Sequence, residues 1–331
     1  MQVVVAGTPL ISVVIPCYNA ERWVAEAIAS VKRQSSSLSA SVSVEIVVID
    51  DGSVDTSASI VAQHAPNARL IRTAHVGASR ARNVGTQAAQ GQYIQYLDAD
   101  DVLAPGKLQR QLDALVRTGA EVAYGDWQKL RVSPSGVLSP AELVEREMNQ
   151  KPELALLLDF WCPPAAYLFR RSIVDRVGGW NEELPIIQDA RFVLDCALRG
   201  ATFVYTPGVQ AYYRVHQSDS LSTRDRGAFV RDCLRNAVDV QRWWEDNGGI
   251  DAERRHALMA VYESVARASF ERDRSTFREA FAALNVLKPG YIPDRPAQLA
   301  ITARVLGYER AEELALIVRR MRRRLAGRLS A

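Results

Sequence analysis

The sequence predicts an α/β domain built on a mostly parallel sheet covered by helices, followed by a helical extension. Three observations carry that expectation. Over the first 125 residues, short β-branched runs alternate with helical stripes. Three of the runs end in polar clusters, Pro16-Cys17-Tyr18-Asn19, Asp50-Asp51-Gly52-Ser53 and Asp98-Ala99-Asp100-Asp101. From about residue 224 the strand signals fade and amphipathic helical segments take over.

Ile11–Pro16 is an apolar run stopped by proline and reads as a buried strand. Residues 21–34 then set Trp23, Val24, Ala27, Ile28 and Val31 on one helical stripe, and the serine-rich stretch 35–43 reads as a loop. Val44–Ile49 is a second buried strand, after which Asp55 or Thr56 caps a helix to about Ala65. Arg69–Arg72 is a weaker third strand, residues 78–90 an Ala-rich helix, and Tyr93–Leu97 a fourth strand. Pro105 suits the first turn of a helix to about Arg117, and Val122–Tyr124 makes a fifth strand. Residues 131–140 are turn-rich and suggest a hairpin or surface excursion, and Gly178-Gly179 marks a turn ahead of a helix after Pro185. A domain boundary is placed at residue 220, giving an α/β domain over 1–220 and a helical region over 221–331.

With 331 residues, 48% of them hydrophobic and 24% charged, the chain has material for a large core. That composition excludes a disordered chain, a collagen-like repeat and a disulfide miniprotein. The formal charge of +3 conceals an asymmetry, because residues 316–331 hold six Arg and no acid while the rest of the chain sums to −3. Cys17, Cys162, Cys196 and Cys233 are scattered, which favours reduced, buried thiols over a disulfide framework or a zinc site. The first residues lack the basic start and cleavage site of a signal peptide, and Asp159, Pro163 and Pro164 interrupt the longest apolar stretch, Leu154–Phe169. The expected location is therefore cytoplasmic.

Polar clusters after successive parallel strands fit one crevice, because ligands of such sheets collect beyond the strands' carboxyl ends. Asp98 and Asp100, one residue apart, suit a hard cation such as Mg²⁺ or Mn²⁺, and equally suit the N-terminus of a helix. Asp50 and Asp51 read as turn residues or as acceptors for a base or ribose, while Arg80, Arg82 and Asn83 open a helix within reach of a diphosphate. Asp189, near a helix start, offsets the helix dipole or serves in a cleft as a general base. His216, in the run Tyr212-Tyr213-Arg214-Val215-His216, becomes a third ligand only if the fold carries it to the Asp98–Asp100 cluster. Trp161 and Trp180 read as sugar-stacking platforms or as buried core. No G-x-G-x-x-G follows the first strand, and no Walker-type loop or G-x-S-x-G elbow is present, so dinucleotide redox chemistry, P-loop hydrolysis and serine hydrolysis lose their support. Residues 1–220 show no basic, aromatic-laced groove, and no nucleic-acid partner is expected.

Taken in order, VVIPCYN, VVIDDGSVDTS, GASRARNVGTQAAQGQYIQYLDADD, GGWNEELPIIQDARF and YYRVHQSDSLS resemble glycosyltransferase family 2. The resemblance spans residues 11–222. It implies a GT-A fold, a Rossmann-like nucleotide-sugar-binding domain, with a nucleoside-diphosphate sugar donor, a divalent metal and inversion at the anomeric carbon. By that resemblance Pro16, Tyr18, Asn19 and Asp51 line the nucleoside pocket, Arg82 and Asn83 lie by the donor, and Asp98 and Asp100 form the D-x-D. Asp100 is then the direct metal ligand, joined by His216, and Asp189 is the catalytic base. One departure stands out: Gln188 occupies the position where the family usually has Glu.

The function these expectations favour is an inverting transferase acting on a glycan or lipid-linked acceptor in surface polysaccharide synthesis. A catalytically silent nucleotide-sugar-binding scaffold is the rival reading, motivated by Gln188. A nucleotidyltransferase is a third, weakened by the missing Gly-rich phosphate loop. Leu314, Ile317, Val318, Met321, Leu325 and Leu329 share one helical stripe amid arginines, so residues 314–329 read either as a peripheral membrane contact or as an ordinary helix with a solvated basic face.

Overall fold

Unbroken β-branched runs make the central strands. In the computed structural model, which describes residues 9–133, 138–215, 225–294 and 296–329, β1 (Leu10–Cys17) carries Ile11, Val13, Val14 and Ile15 with no solvent exposure. Burying each such side chain stabilises by about 1.5–3 kcal/mol, so this strand is a large share of the core. After α1 (Val24–Gln34), β2 (Ser43–Asp50) pairs in parallel with β1, from Leu10 against Ser43 to Cys17 against Asp50. Helix α2 (Ser57–His64) leads to β3 (Arg69–Arg72), a largely exposed strand at the sheet edge with an arginine at each end, charges that discourage edge-to-edge pairing. Helix α3 (Ala78–Ala88) follows and β4 (Tyr93–Tyr96) lies parallel to β1. Gly85 lets α3 sit close on the sheet, since a Cβ there would meet Val14 Cγ1 at 2.4 Å.

Beyond β4 the sheet departs from the mostly parallel expectation. Strand β5 (Val102–Leu103) is only two residues long, and α4 (Lys107–Thr118) begins one residue after Gly106, so Pro105 lies outside the helix. Strand β6 runs Val122–Val132, of which the sequence marks only the first three residues, and pairs antiparallel with β7 (Leu138–Val144). Residues 134–137 of the connection lie outside the described residues. Helix α5 (Pro152–Leu158) and a turn at Pro164–Ala166 precede β8 (Tyr167–Arg170), which inserts antiparallel between β4 and β6. After α6 (Arg171–Val177) and α7 (Gln188–Leu198), β9 (Phe203–Val215) runs parallel to β6 and antiparallel to β5. The strand order is β3-β2-β1-β4-β8-β6-β9-β5, with β7 beside β6.

Strand β9 is irregular. It advances five residues from Thr206 to Ala211 while β6 advances two, from Gly125 to Trp127. The bulge is held from both sides: Gln210 Nε2 donates to the carbonyls of Thr206, Pro207 and Gly208, and Asp126 Oδ2 accepts from Gly208 N at 2.7 Å. Its consequence is alternation beyond the bulge, where Tyr213 joins an aromatic cluster while Arg214 turns to Glu26.

The chain divides into two compact units, Met1–Arg224 and Asp225–Ala331. The second contains α8 (Arg226–Asp246), α9 (Ala252–Ser269), α10 (Arg274–Leu287), α11 (Ala297–Leu306) and α12 (Tyr308–Leu329). Asp225, Asp251 and Asp273 cap the first three, each accepting a backbone N–H from three residues on. Trp244, Leu258, Tyr262, Phe270 and Phe277 form the core of this unit. Among the described residues, no helix is long and apolar enough to cross a membrane.

Candidate active site

Parallel pairing places the carboxyl ends of β1, β2, β3 and β4 on one edge, which brings their polar loops together. Pro16 is half-buried, and Tyr18 is 47% exposed with its ring 4.1 Å from that of His75. Asn19 has φ +47° and locks the first loop to the second: its N–H donates to Ser53 Oγ at 3.0 Å and its Oδ1 accepts from Val54 N at 3.0 Å. Asp50 accepts from Ser53 N at 3.0 Å and faces Arg72 at 3.3 Å. The Asp51 carboxylate accepts from Thr73 Oγ1 (2.7 Å), Val76 N (2.7 Å) and Gly77 N (2.8 Å), with His75 Nδ1 3.6 Å away. Burial pushes this carboxyl up, but those bonds and His75 outweigh burial and hold it below the usual carboxylate range. Asp51 thus anchors the loop after β3 onto the end of β2.

The next layer is organised by Arg82, whose guanidinium is buried. It forms an ion pair with Asp98 Oδ1, donates to Gln188 Oε1 at 3.2 Å, and lies 4.4 Å from the centre of the Trp180 ring. Gln188 Oε1 also accepts from Ser79 Oγ at 2.8 Å, and its Nε2 donates to Pro185 O. A neutral amide therefore joins α3 to the start of α7 at a point flanked by Asp98. Asn83 uses its amide on the loop before α7: Nδ2 donates to Trp180 O and Glu182 Oε1, and Oδ1 accepts from Trp180 N at 2.7 Å. Gly179, at φ +111°, permits that approach, since a Cβ there would sit 2.7 Å from Asn83 Oδ1. Trp180 is buried and stacked on Phe192 at 4.4 Å, so it is core rather than a sugar platform.

Asp189 occupies the first turn of α7. Its Oδ2 accepts from Trp161 Nε1 at 2.7 Å and its Oδ1 from the N–H of Ala190 at 2.8 Å. Burial dominates and raises its pKa; those two bonds and Arg82 lower it in part, while Asp98 adds to the rise. Beyond β4, Asp100 is half-buried and its carbonyl accepts from Arg214 Nη1. Asp101 is buried, accepts from Arg214 N at 3.1 Å, and is pushed well up by burial and by Asp100 and Asp98, against the opposing effect of Arg214. Tyr213 is raised chiefly by burial, and also by Asp101, Asp98, Asp100 and Asp189. His216 lies outside the described residues.

The family model for glycosyl transferase family 2 matches residues 12–177, half of the chain and the part that carries the strand-end loops. The chain belongs to glycosyl transferase family 2. It is 30% identical over 196 residues to EpsJ of Bacillus subtilis, an uncharacterized glycosyltransferase, covering 56% of this chain and 55% of EpsJ. It is 33% identical over 150 residues to the succinoglycan biosynthesis protein ExoO of Rhizobium meliloti, covering 45% of this chain and 41% of ExoO. The chain thus spans about half the length of the curated relatives it matches. Among solved structures it is similar to S. aureus TarS 1-349 in complex with UDP-GlcNAc, with TM-score 0.61 and 18% identity, covering 92% of this chain and 90% of that one. That likeness shows a GT-A fold.

In this family 2 chain the donor set beyond β4 has the chemistry of a hard-cation site. Asp98 and Asp100 offer only oxygen, and cations such as Mg²⁺ and Mn²⁺ bind through one or two carboxylates plus substrate phosphates. Sequence reasoning gave no role to three side chains that the family 2 fold brings into the site: His75 beside Tyr18 and Asp51, Ser79 on Gln188, and Tyr213 among the acids. For His75 a signal was present, because residues 73–77 follow the third parallel strand, β3, and so reach the same edge as the other loops. Trp161, a candidate for platform or core, donates to Asp189 and packs against Trp127 and Tyr213.

Proposed function

We propose that the chain is an inverting glycosyltransferase that moves a sugar from a nucleoside-diphosphate donor to a hydroxyl of a glycan or lipid-linked acceptor in surface polysaccharide synthesis. The observation that carries this is the Arg82 bridge: its guanidinium pairs with Asp98 and donates to Gln188 Oε1 at 3.2 Å, which ties the first turn of α7, and with it Asp189, to the strand-end acids. A single-displacement reaction needs one carboxylate base there, and burial raises the pKa of Asp189. Family membership, the succinoglycan-biosynthesis role of ExoO and the nucleotide sugar bound to TarS support the same reading.

In this mechanism Asp189 Oδ takes the proton from the acceptor hydroxyl as that oxygen attacks the anomeric carbon on the face opposite the diphosphate. Arg82, fixed by Asp98 and Gln188, holds the floor of the donor site, and Asn83 fixes the loop that positions α7. Pro16, Tyr18, Asn19 and Asp51 shape the nucleoside end, with the Tyr18 ring exposed for stacking. Asp100 and His216 would hold a divalent cation, which supplies positive charge for the departing diphosphate. Residues 1–220 form the catalytic domain, and 221–331 the helical region.

The test is release of nucleoside diphosphate from UDP-GlcNAc, UDP-glucose and GDP-mannose with Mn²⁺ or Mg²⁺, alone and with a bacterial lipid extract. Turnover of one donor that disappears with EDTA and in Asp189→Asn is expected. Binding of a donor with no turnover under any condition would favour the silent scaffold suggested by Gln188.

The acceptor's place is read from α12. Leu314, Ile317, Val318 and Met321 are exposed on a helix whose remaining residues are arginine-rich, which suits the anionic inner face of a membrane. Full-length chain should float with anionic liposomes and a truncation after Ala315 should not. Equal flotation of the two would discard the membrane contact.

A further inference from the structure

We propose that Trp161 is a positioning residue for the base: its indole N–H holds one oxygen of Asp189 and leaves the carboxylate fixed in a single orientation toward the acceptor. The proposal rests on the reading of Asp189 as that base. It goes beyond that reading by naming what aims the base.

Asp189 has two anchors. The N–H of Ala190 binds Oδ1 from within its own helix, and Trp161 Nε1 binds Oδ2 from 28 residues upstream in the chain. With the first anchor alone, the carboxylate is tied only to its own backbone and is free to tilt about its side-chain torsions. The second anchor is useful only if Trp161 is itself immobile, and the structure makes it so. Trp127 on β6, Trp161 and Tyr213 on β9 meet edge to face in all three pairs: 5.2 Å and 90° for the tryptophans, 5.6 Å and 84° for Trp127 with Tyr213, 5.5 Å and 80° for Trp161 with Tyr213. Chain stiffness adds to this, because Cys162 behind Trp161 is buried and is followed by Pro163 in an extended conformation.

The groups around Asp189 come from several elements. Arg82 of α3 favours its ionised form, and Asp98 opposes it. Tyr167 of β8 and Tyr213 of β9 are neutral phenols held up by burial. Among the described residues, Trp161 is the side chain that donates to the Asp189 carboxylate, and being uncharged it orders the group and favours ionisation without adding a counter-charge. That combination keeps the base both aimed and basic. A salt bridge in the same place would hold the carboxylate but depress its proton affinity further.

Two variants of the full chain separate the N–H from the ring. Trp161→Phe keeps an aromatic ring and removes the donor. Trp161→His can place Nε2 near the position of the indole nitrogen and removes the outer ring. With Asp189 observed by carboxyl-carbon NMR and assigned through Asp189→Asn, its titration midpoint should rise by about one pH unit in Trp161→Phe and move back toward the parent value in Trp161→His. Turnover of whichever nucleotide sugar is used should fall roughly tenfold or more in Trp161→Phe at pH 8, with donor KM within about twofold, and recover in part in Trp161→His. An unmoved Asp189 midpoint in Trp161→Phe overturns the proposal, whatever the turnover. Equal loss in both variants, with no rescue by His, assigns Trp161 to packing or to sugar stacking and also overturns it. If Asp189→Asn keeps its turnover, the base reading itself falls, and the NMR midpoint still reports whether the bond orders the carboxylate.

Discussion

Asp51 and Asp189 are two acids in one site, and their protons are held in opposite ways. Each is withdrawn from water and each accepts hydrogen bonds, yet Asp51 is held below the carboxylate range and Asp189 above it. The difference is the balance of donors and neighbouring charge. Asp51 has Thr73, Val76 and Gly77 on its oxygens and His75 alongside. Asp189 has two donors and a nearby Asp98. A saturated carboxylate becomes a staple between loops, whereas one with fewer donors keeps the capacity to accept a proton. Family membership alone does not distinguish these roles; the donors do.

Asp189→Asn gives the largest contrast. Turnover should fall about 10²–10⁴-fold, the range of general-base catalysis, while stability at pH 7 is unchanged or higher. The linkage sets the sign. An acid with a raised folded pKa binds its proton more tightly folded than unfolded, so stability drops as pH rises from about 3.9 through the folded value, and the Asn variant lacks that drop. Urea midpoints from pH 4 to 8 measure it.

Asp51→Asn should act in the other sense, losing about 1–3 kcal/mol at pH 7 through weakened charged hydrogen bonds. Its parent acid has a lowered folded pKa, so its contribution is present above about pH 3.9 and is lost as pH falls through the folded value. The variant's stability should therefore be flatter than the parent's below about pH 4. If both Asn variants showed the same pH slope, the contrast between the two acids would be broken.

Gln188→Glu is the mildest change and sharpens the comparison. It places a charge beside Arg82, which already balances Asp98, and so raises Asp189 further. The acidic limb of the turnover profile should move up by less than about one pH unit, with turnover at pH 8 altered less than about threefold.

The strands that carry the site were legible because each is an uninterrupted apolar run whose partners are its neighbours in the βα alternation. Arg69–Arg72 falls where the sequence set it, and β1, β2 and β4 within one residue at each end. The second half of the sheet was not legible, for a physical reason. Tyr167–Arg170 sits within the apolar stretch 154–169 and its margin, and becomes a strand only through partners about 76 and 45 residues away, at Tyr93–Ile94 and Val122–Tyr124. In the site, the strand-end loops and the helix-start position of Asp189 could be read locally. The bonds that give the side chains their roles, such as Trp161 to Asp189 or Ser79 to Gln188, join segments whose meeting is a property of the whole fold.

The bulge in β9 acts as a register stop for this chemistry. Beyond it, consecutive residues take opposite faces, so Tyr213 is delivered to Trp127 and Trp161, the second of which is bonded to Asp189, while Arg214 is delivered to Glu26 and the Asp100–Asp101 turn. Losing a single residue between Gly208 and Tyr212 would put Arg214 in the place of Tyr213 and Val215 in the place of Arg214, sending a buried cation toward the tryptophans and an apolar side chain toward Glu26. In this fold, the spacing of the strand segment ahead of the last motif decides which face each of that motif's side chains takes.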